Sequence, residues 1–164
     1  MTEPTYVVHA ESAGWPAPLR KAYVGVAHKL PGHVEELWLS DLGEGLARIV
    51  CVPFWTDGLA RHDVVALDPA GGPIRVHERS GHRVLRALFK PTAPTGLTEA
   101  LVAVAEFDGI PHEHWGDRFT VFDIAPGADP QDLVGSLDKL EAEGHLIWEW
   151  GDQQHGSATR GEAT

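Results

Sequence analysis

His82-Arg83-Val84-Leu85-Arg86-Ala87-Leu88-Phe89, then Lys90-Pro91-Thr92-Ala93-Pro94, then Thr95 to Gly109, is the stretch whose reading decides the fold. Its first eight residues read as a strand. After the two prolines the apolar period becomes helical, with Leu97, Leu101 and Val104 at three- and four-residue spacing, Thr95 as the expected N-cap and an end near Asp108-Gly109. His112 to Trp115 and Phe119 to Ile124 follow as short strands joined at Gly116-Asp117. A second helix is expected where Asp129 caps, Pro130 sits in the first turn, Leu133, Leu137 and Leu140 form a stripe and Gly144 terminates. His145 to Trp150 closes the series as a last strand. The order β, α, β, β, α, β over residues 82–150 predicts a ferredoxin-like sandwich, in which both helices cover one face of a four-stranded antiparallel sheet. The opposite face is then left for the strands of the first half, a ligand or a second copy of the chain. Trp148 and Trp150, two apart, share a face of the last strand and read as core.

Working back towards the start, residues 34–81 carry the punctuation of short strands. Val34 to Leu39 and Leu46 to Val52 flank a Gly-containing hairpin connection, and Asp63 to Leu67 and Ile74 to Glu78 flank Asp68-Pro69-Ala70-Gly71-Gly72. In the strand from Ile74, Ile74 and Val76 lie on one face while Arg75, His77 and Arg79 lie on the other, which puts His77 on the wet side. The expected architecture is α+β: a small antiparallel β-barrel-like half packed with the ferredoxin-like half. Residues 1–33 form an N-terminal segment containing the extended Trp15-Pro16-Ala17-Pro18, and the polar stretch 151–164 is expected to be a disordered tail.

With 164 residues, the chain can bury about 70% of its unfolded surface and needs neither disulfides nor a structural metal. The single cysteine, Cys51, allows no internal disulfide and suggests a reducing, cytoplasmic compartment. Met1 to Gly14 carries Glu3 and Glu11 and lacks the basic and apolar segments of a secretory leader, and no apolar run approaches the ~18 residues of a membrane span. Thirteen Lys and Arg against 24 Asp and Glu give a net charge of −11, which disfavours nucleic acid and anionic membranes and suits a cationic partner. Nucleotide-binding glycine loops and the Gly-x-Ser-x-Gly elbow are absent, so no cofactor is expected.

Glu36-Leu37-Trp38, the run Leu42-Gly43-Glu44-Gly45-Leu46-Ala47-Arg48-Ile49 leading into Val52-Pro53-Phe54, Asp63-Val64-Val65 and Glu78-Arg79-Ser80-Gly81-His82 together resemble a bacterial family catalogued as domain of unknown function 4265. The resemblance spans roughly Val34 to Trp150. It implies a small strand-rich half followed by a ferredoxin-like half. Where relatives tend to have Gly before the Asp-Val-Val strand, this chain has Arg61-His62.

The Glu78-to-His82 segment is the first candidate site. Arg79 and Ser80 can bind a carboxylate or phosphate while His82 or Glu78 moves a proton, although the same residues also suit a tight turn with Gly81 at positive φ. His77 is counted with the binding residues. The second candidate is Phe54 and Trp55 with the loop to His62 and Asp63, where aromatics can floor a pocket and His62 can serve as a base. His112 and His114 share a strand face at metal-site spacing, with His77, His82 or His145 as further donors, but exposed surface histidines are the expectation and no metal is assigned. Cys51 lies between Val50 and Val52 and reads as core.

These features lead to a non-catalytic binding or interaction protein, of accessory or toxin-neutralising type, that recognises a peptide, a protein or a small ligand and can form a homodimer. The alternative is a small cofactor-free enzyme with His82 or His62 as base and Arg79 as anion clamp.

Overall fold

Six strands build the first sheet of the computed structural model, which describes residues 2–152: β1 (Thr5–Val8), β2 (Leu19–Gly25), β3 (His33–Gly43), β4 (Leu46–Ile49), β5 (Val64–Ala66) and β6 (Arg75–Glu78). β3 is the hub. Along one edge it pairs with β2, Leu19 opposite Ser40 through Gly25 opposite Val34. Its other edge is shared between β1, paired in parallel with Thr5 opposite His33, and β4, paired antiparallel. Leu37 and Leu39 of β3 are fully buried with Ala47, Ile49, Cys51, Leu59 and Val65. The two-residue period that points them inward also carries Glu35 to that side, and Glu35 has no exposed surface.

The second sheet contains β7 (Arg83–Phe89), β8 (His112–Trp115), β9 (Phe119–Ile124) and β10 (Leu146–Trp150), in the order β10-β7-β9-β8 with every neighbour antiparallel. Helices α1 (Leu97–Phe107) and α2 (Gln131–Ala142) bury Leu101, Ala105, Leu133 and Leu137 against Leu85, Ala87 and Phe89 of β7 and Trp148 of β10. The other face is covered as well, because Val84 and Val121 pack with Val7, Val52, Phe54 and Ala60 from the first half. A central strand covered on both sides has little room for polar residues, and β7 buries one, Arg86, at 2% exposure. Trp148 and Trp150 join the helix-side core, with Trp148 Nε1 donating to Asp138 at 3.1 Å.

Several expectations change. The first sheet is not a closed barrel: β2 and β6 remain unbonded edges, separated by a groove lined by Tyr23, Val24, Ile74 and Val76, beside Pro73, which has no N–H to donate. Nor is it wholly antiparallel, since β1 is parallel to β3. Residues 1–33 supply both β1 and β2. Of the three occupants open to the uncovered face of the second sheet, the first half is the one that packs there. Gly96, at φ 93, rather than Thr95, takes the N-cap of α1 with no side-chain bond. Pro130 takes that position in α2, and Asp129 accepts from the Gln131 N–H at 3.1 Å. Of the expected tail, Gly151 is anchored through its N–H to the Val84 carbonyl at 2.8 Å, and residues 153–164 lie outside those described. Among the described residues no helix is long and apolar enough to cross a membrane.

Candidate functional site

The Glu78-to-His82 turn is tied to the loop before β5 by one buried carboxylate. Asp63, 1% exposed, accepts from Ser80 N–H at 2.8 Å, Ala60 N–H at 3.0 Å and Arg79 Nη1 at 3.1 Å. Arg79 also donates to the Gly58 carbonyl, and Ser80 Oγ donates to the Arg61 carbonyl at 2.7 Å while accepting from His82 N–H at 3.1 Å. Gly81 allows the turn, with φ 84 and Pro126 Cγ only 3.0 Å from where a Cβ would stand.

Asp123 on β9, 1% exposed, is a second anchor, accepting from His82 Nδ1 at 2.7 Å and from Arg61 Nη1 at 3.3 Å. The His82 ring meets that of His62 edge-on at 4.8 Å. His62 has φ 68, a left-handed conformation that a residue with a Cβ adopts only under strain. Burial pushes its imidazole pKa down, and the neighbouring Arg61 and His82 push it further. A hollow of about 300 Å³ is lined by Arg48, His62, Val64, Glu78, Arg79 and Ser80.

The structure therefore brings His62, Glu78, Arg79 and Ser80 to one hollow, with Asp63 holding Arg79 and Ser80 and with His82 reached through His62. His77 is exposed and does not line it. Phe54 and Trp55 do not line it either: Phe54 stacks on His9 at 4.1 Å, and Trp55 stacks on Phe119 at 4.2 Å and meets Trp115 edge-on.

Reading the sequence missed a buried charge cluster where the two sheets meet. The fully buried Glu35 carboxylate accepts from the N–H groups of Phe54 (2.6 Å), Trp55 (3.0 Å) and Thr56 (2.7 Å), from Thr56 Oγ1 (2.7 Å) and from His9 Nε2 (2.9 Å). The loop after Val52 thus folds around a single side chain of β3. On the other side of the His9 ring, Nδ1 bonds Glu113 Oε2 at 2.7 Å, and Glu113 Oε1 accepts from Val52 N–H at 3.0 Å.

A ring that hydrogen-bonds two carboxylates through both nitrogens is an imidazolium. Burial lowers the His9 pKa, but the bonded Glu113 and Glu35 carboxylates outweigh it and hold the pKa above the ordinary value. The carboxylates are the effective charges, since burial pushes the Cys51 thiol up and keeps it neutral. Burial works against the Glu35 carboxylate, yet His9, Thr56 and the Phe54 amide hold its pKa below the ordinary value. The signal for this cluster lay in the strand phase that placed Glu35 with Leu37 and Leu39, and in the acid between His112 and His114.

Glu113 opens on a cavity of about 370 Å³ whose lining includes Ser12, Trp15, Arg61, His112 and His114. His114 Nδ1 pairs with Thr120 Oγ1 at 2.9 Å, and the His112 and His114 rings stand 5.1 Å apart. Among the described residues no group of three or more His, Cys, Asp or Glu side chains is placed to hold a metal ion. Cys51 is fully buried, with Sγ 3.4 Å from the Trp38 N–H, and is no nucleophile. The buried Arg86 bonds Asp57 at 2.7 Å, Glu149 at 3.2 Å and the Thr56 carbonyl, which clamps the same loop to the second sheet.

Residues 35–149 match the sequence profile of a family described as "Domain of unknown function (DUF4265)". No curated protein matches the chain. A solved structure described as "Novel crystal structure of a hypothetical protein from Neisseria gonorrhoeae" is similar at a TM-score of 0.62 and 19% identity, covering 81% of this chain and 92% of that one. At that identity the likeness concerns the fold alone.

Proposed function

The chain belongs to the DUF4265 family, and from the geometry of its own site we propose that it is a binding protein for a small anionic ligand, a carboxylate or phosphate, held in the hollow between Arg48 and Arg79. The observation that carries this reading is the grouping of two guanidinium side chains, the strained His62 and the Ser80 hydroxyl around about 300 Å³, against one lining carboxylate, Glu78. Among the described residues Arg48 forms no salt bridge, and Arg79 is half exposed although it pairs with Asp63. In a chain of net charge −11, long-range electrostatics works against anions, so selectivity has to come from the local guanidinium donors.

Titration calorimetry with inorganic phosphate and with acetate tests the proposal. Arg48→Ala should weaken binding about ten-fold, the loss of one charge-assisted contact. Unchanged affinity in Arg48→Ala, or no binding of either anion, overturns it.

A catalytic second reading is favoured by His62 itself, because its strained backbone and depressed pKa present an unprotonated imidazole to the hollow. Turnover of p-nitrophenyl acetate or p-nitrophenyl phosphate that disappears in His62→Ala would support it. We further propose that the four-stranded half is ferredoxin-like, a reading supported by the order β10-β7-β9-β8 with both helices packed on one face. A cytoplasmic setting is supported by the single, buried cysteine.

A further inference from the structure

We infer that the cavity beside Glu113 is a second binding site, separate from the anion hollow, and that it takes a primary ammonium group. Two carboxylates, Glu35 and Glu113, share one imidazolium, which leaves the buried cluster with one uncompensated negative charge. Glu35 cannot present that charge to a ligand, because it is fully buried and both its oxygens are engaged by five donors. Glu113 can. Its side chain is 25% exposed, it lines the cavity of about 370 Å³, and each of its oxygens carries a single hydrogen bond, one from His9 and one from the Val52 N–H. A carboxylate oxygen accepts two such bonds, so each retains capacity.

The lining selects among cations. Arg61, the guanidinium in the wall, directs Nη1 to Asp123 at 3.3 Å and forms no salt bridge with Glu113 among the described residues. His114 pairs Nδ1 with Thr120 Oγ1, and burial followed by the neighbouring His112 pushes its pKa down; in the tautomer that donates Nδ1–H to Thr120, Nε2 is an acceptor. Ser12 adds a hydroxyl and Trp15 an aromatic wall. Among the described residues no three His, Cys, Asp or Glu side chains are placed to ligate a divalent metal. An ammonium, a point charge with three rotatable donors, fits one carboxylate oxygen together with a hydroxyl and an imidazole nitrogen. The volume lies within the range of small-molecule sites. The group can belong to a free amine or to a lysine side chain.

Amide-resolved NMR titration of the full chain tests this, with n-butylammonium chloride as probe, n-butanol and sodium butyrate as neutral and anionic counterparts of the same size, and Nα-acetyl-lysine amide as the lysine form. The Val52 amide, bonded to Glu113, is the reporter. Butylammonium should shift it saturably, with butanol and butyrate at least about ten-fold weaker, and Glu113→Gln should weaken butylammonium by about ten-fold or more. A comparable response to acetyl-lysine amide assigns the site to lysine side chains, and a response to butylammonium alone assigns it to free amines. Butanol acting as well as butylammonium, no saturable shift at Val52, or undiminished affinity in a natively folded Glu113→Gln chain overturns the inference. If Glu113→Gln fails to fold by circular dichroism, the butylammonium-to-butanol comparison on the wild-type chain decides alone. Loss of the Val52 response in about 0.2 M sodium chloride would reveal diffuse attraction to an acidic surface and would also overturn it.

Discussion

Glu35→Gln keeps the shape of the side chain and removes one charge. Oε2 of Glu35 accepts from Trp55 N–H, Thr56 N–H and Thr56 Oγ1, and Oε1 accepts from Phe54 N–H and His9 Nε2. The less costly orientation of the amide leaves its oxygen at the Oε2 position and turns its NH2 towards two donors. Two charge-assisted bonds are then lost, at about 1.5–3 kcal/mol each. His9 recovers part of this by releasing its proton and accepting from the new NH2, while the Phe54 N–H stays opposed. A net loss near the lower bound, about 3 kcal/mol, agrees with the ~3–5 kcal/mol typical of breaking one side of a buried pair. With a urea m-value of about 2 kcal/mol/M, the unfolding midpoint should fall by about 1.5 M. Glu106→Gln, on the exposed side of α1, is the control and should stay within about 0.5 kcal/mol. A Glu35→Gln protein within about 1 kcal/mol of wild type would refute the charged cluster.

The pKa of His9, raised above the 6.5 of the unfolded chain, contributes stability that is complete below pH 6.5 and is lost as pH rises towards the folded-state value. Urea midpoints should therefore fall between pH 6.5 and 8.5 by the equivalent of about 2–3 kcal/mol, and the slope should vanish in His9→Gln; a flat wild-type profile contradicts this. Glu35 has the opposite sign, its lowered pKa giving stability that is present above 4.5 and lost on acidification through the folded-state value. Gly151→Ala would place a Cβ 2.5 Å from Arg86 Cζ and 2.9 Å from Nη2. Because Asp57, Glu149 and the Thr56 carbonyl fix that guanidinium, calorimetric unfolding should show a loss of about 1–3 kcal/mol, and a neutral result would mean that Arg86 moves freely. His62→Gly should relieve a left-handed strain of about 1–2 kcal/mol at an entropic cost of about 0.5–1. Its stability should match or slightly exceed wild type while phosphate binding weakens, and a marked destabilisation would show that the imidazole is structural.

The second half was legible because its signals are local. Prolines at 91 and 94 mark the change of period, and Gly144 marks the end of α2. β1 was illegible for the opposite reason: Thr5–Val8 is four residues long and its partner is a parallel strand starting 28 residues later, opposite His33. The turn at Gly81 announced its chemistry by composition, but its anchors did not, since Asp63 and Asp123 stand 17 residues before Ser80 and 41 after His82. Phe54 does line a cavity, the one beside Glu113, but that it stacks on His9 and that Trp55 stacks on Phe119 is shown by no short-range pattern. The cluster at the seam is the extreme case: His9, Glu35 and Glu113 each look like surface residues in isolation.

His9 and Glu113 are separated by 104 positions, and that separation has a consequence during synthesis. At ribosomal rates of about 5–20 residues per second, the imidazole waits roughly 5–20 s for its second acid. During that interval the nascent first half has only Glu35 opposite the ring and no sheet to cover Val7, Val52 and Phe54. Its apolar underside is then open to chaperones until β8 brings Glu113 and β9 brings Phe119 and Val121 to cover it.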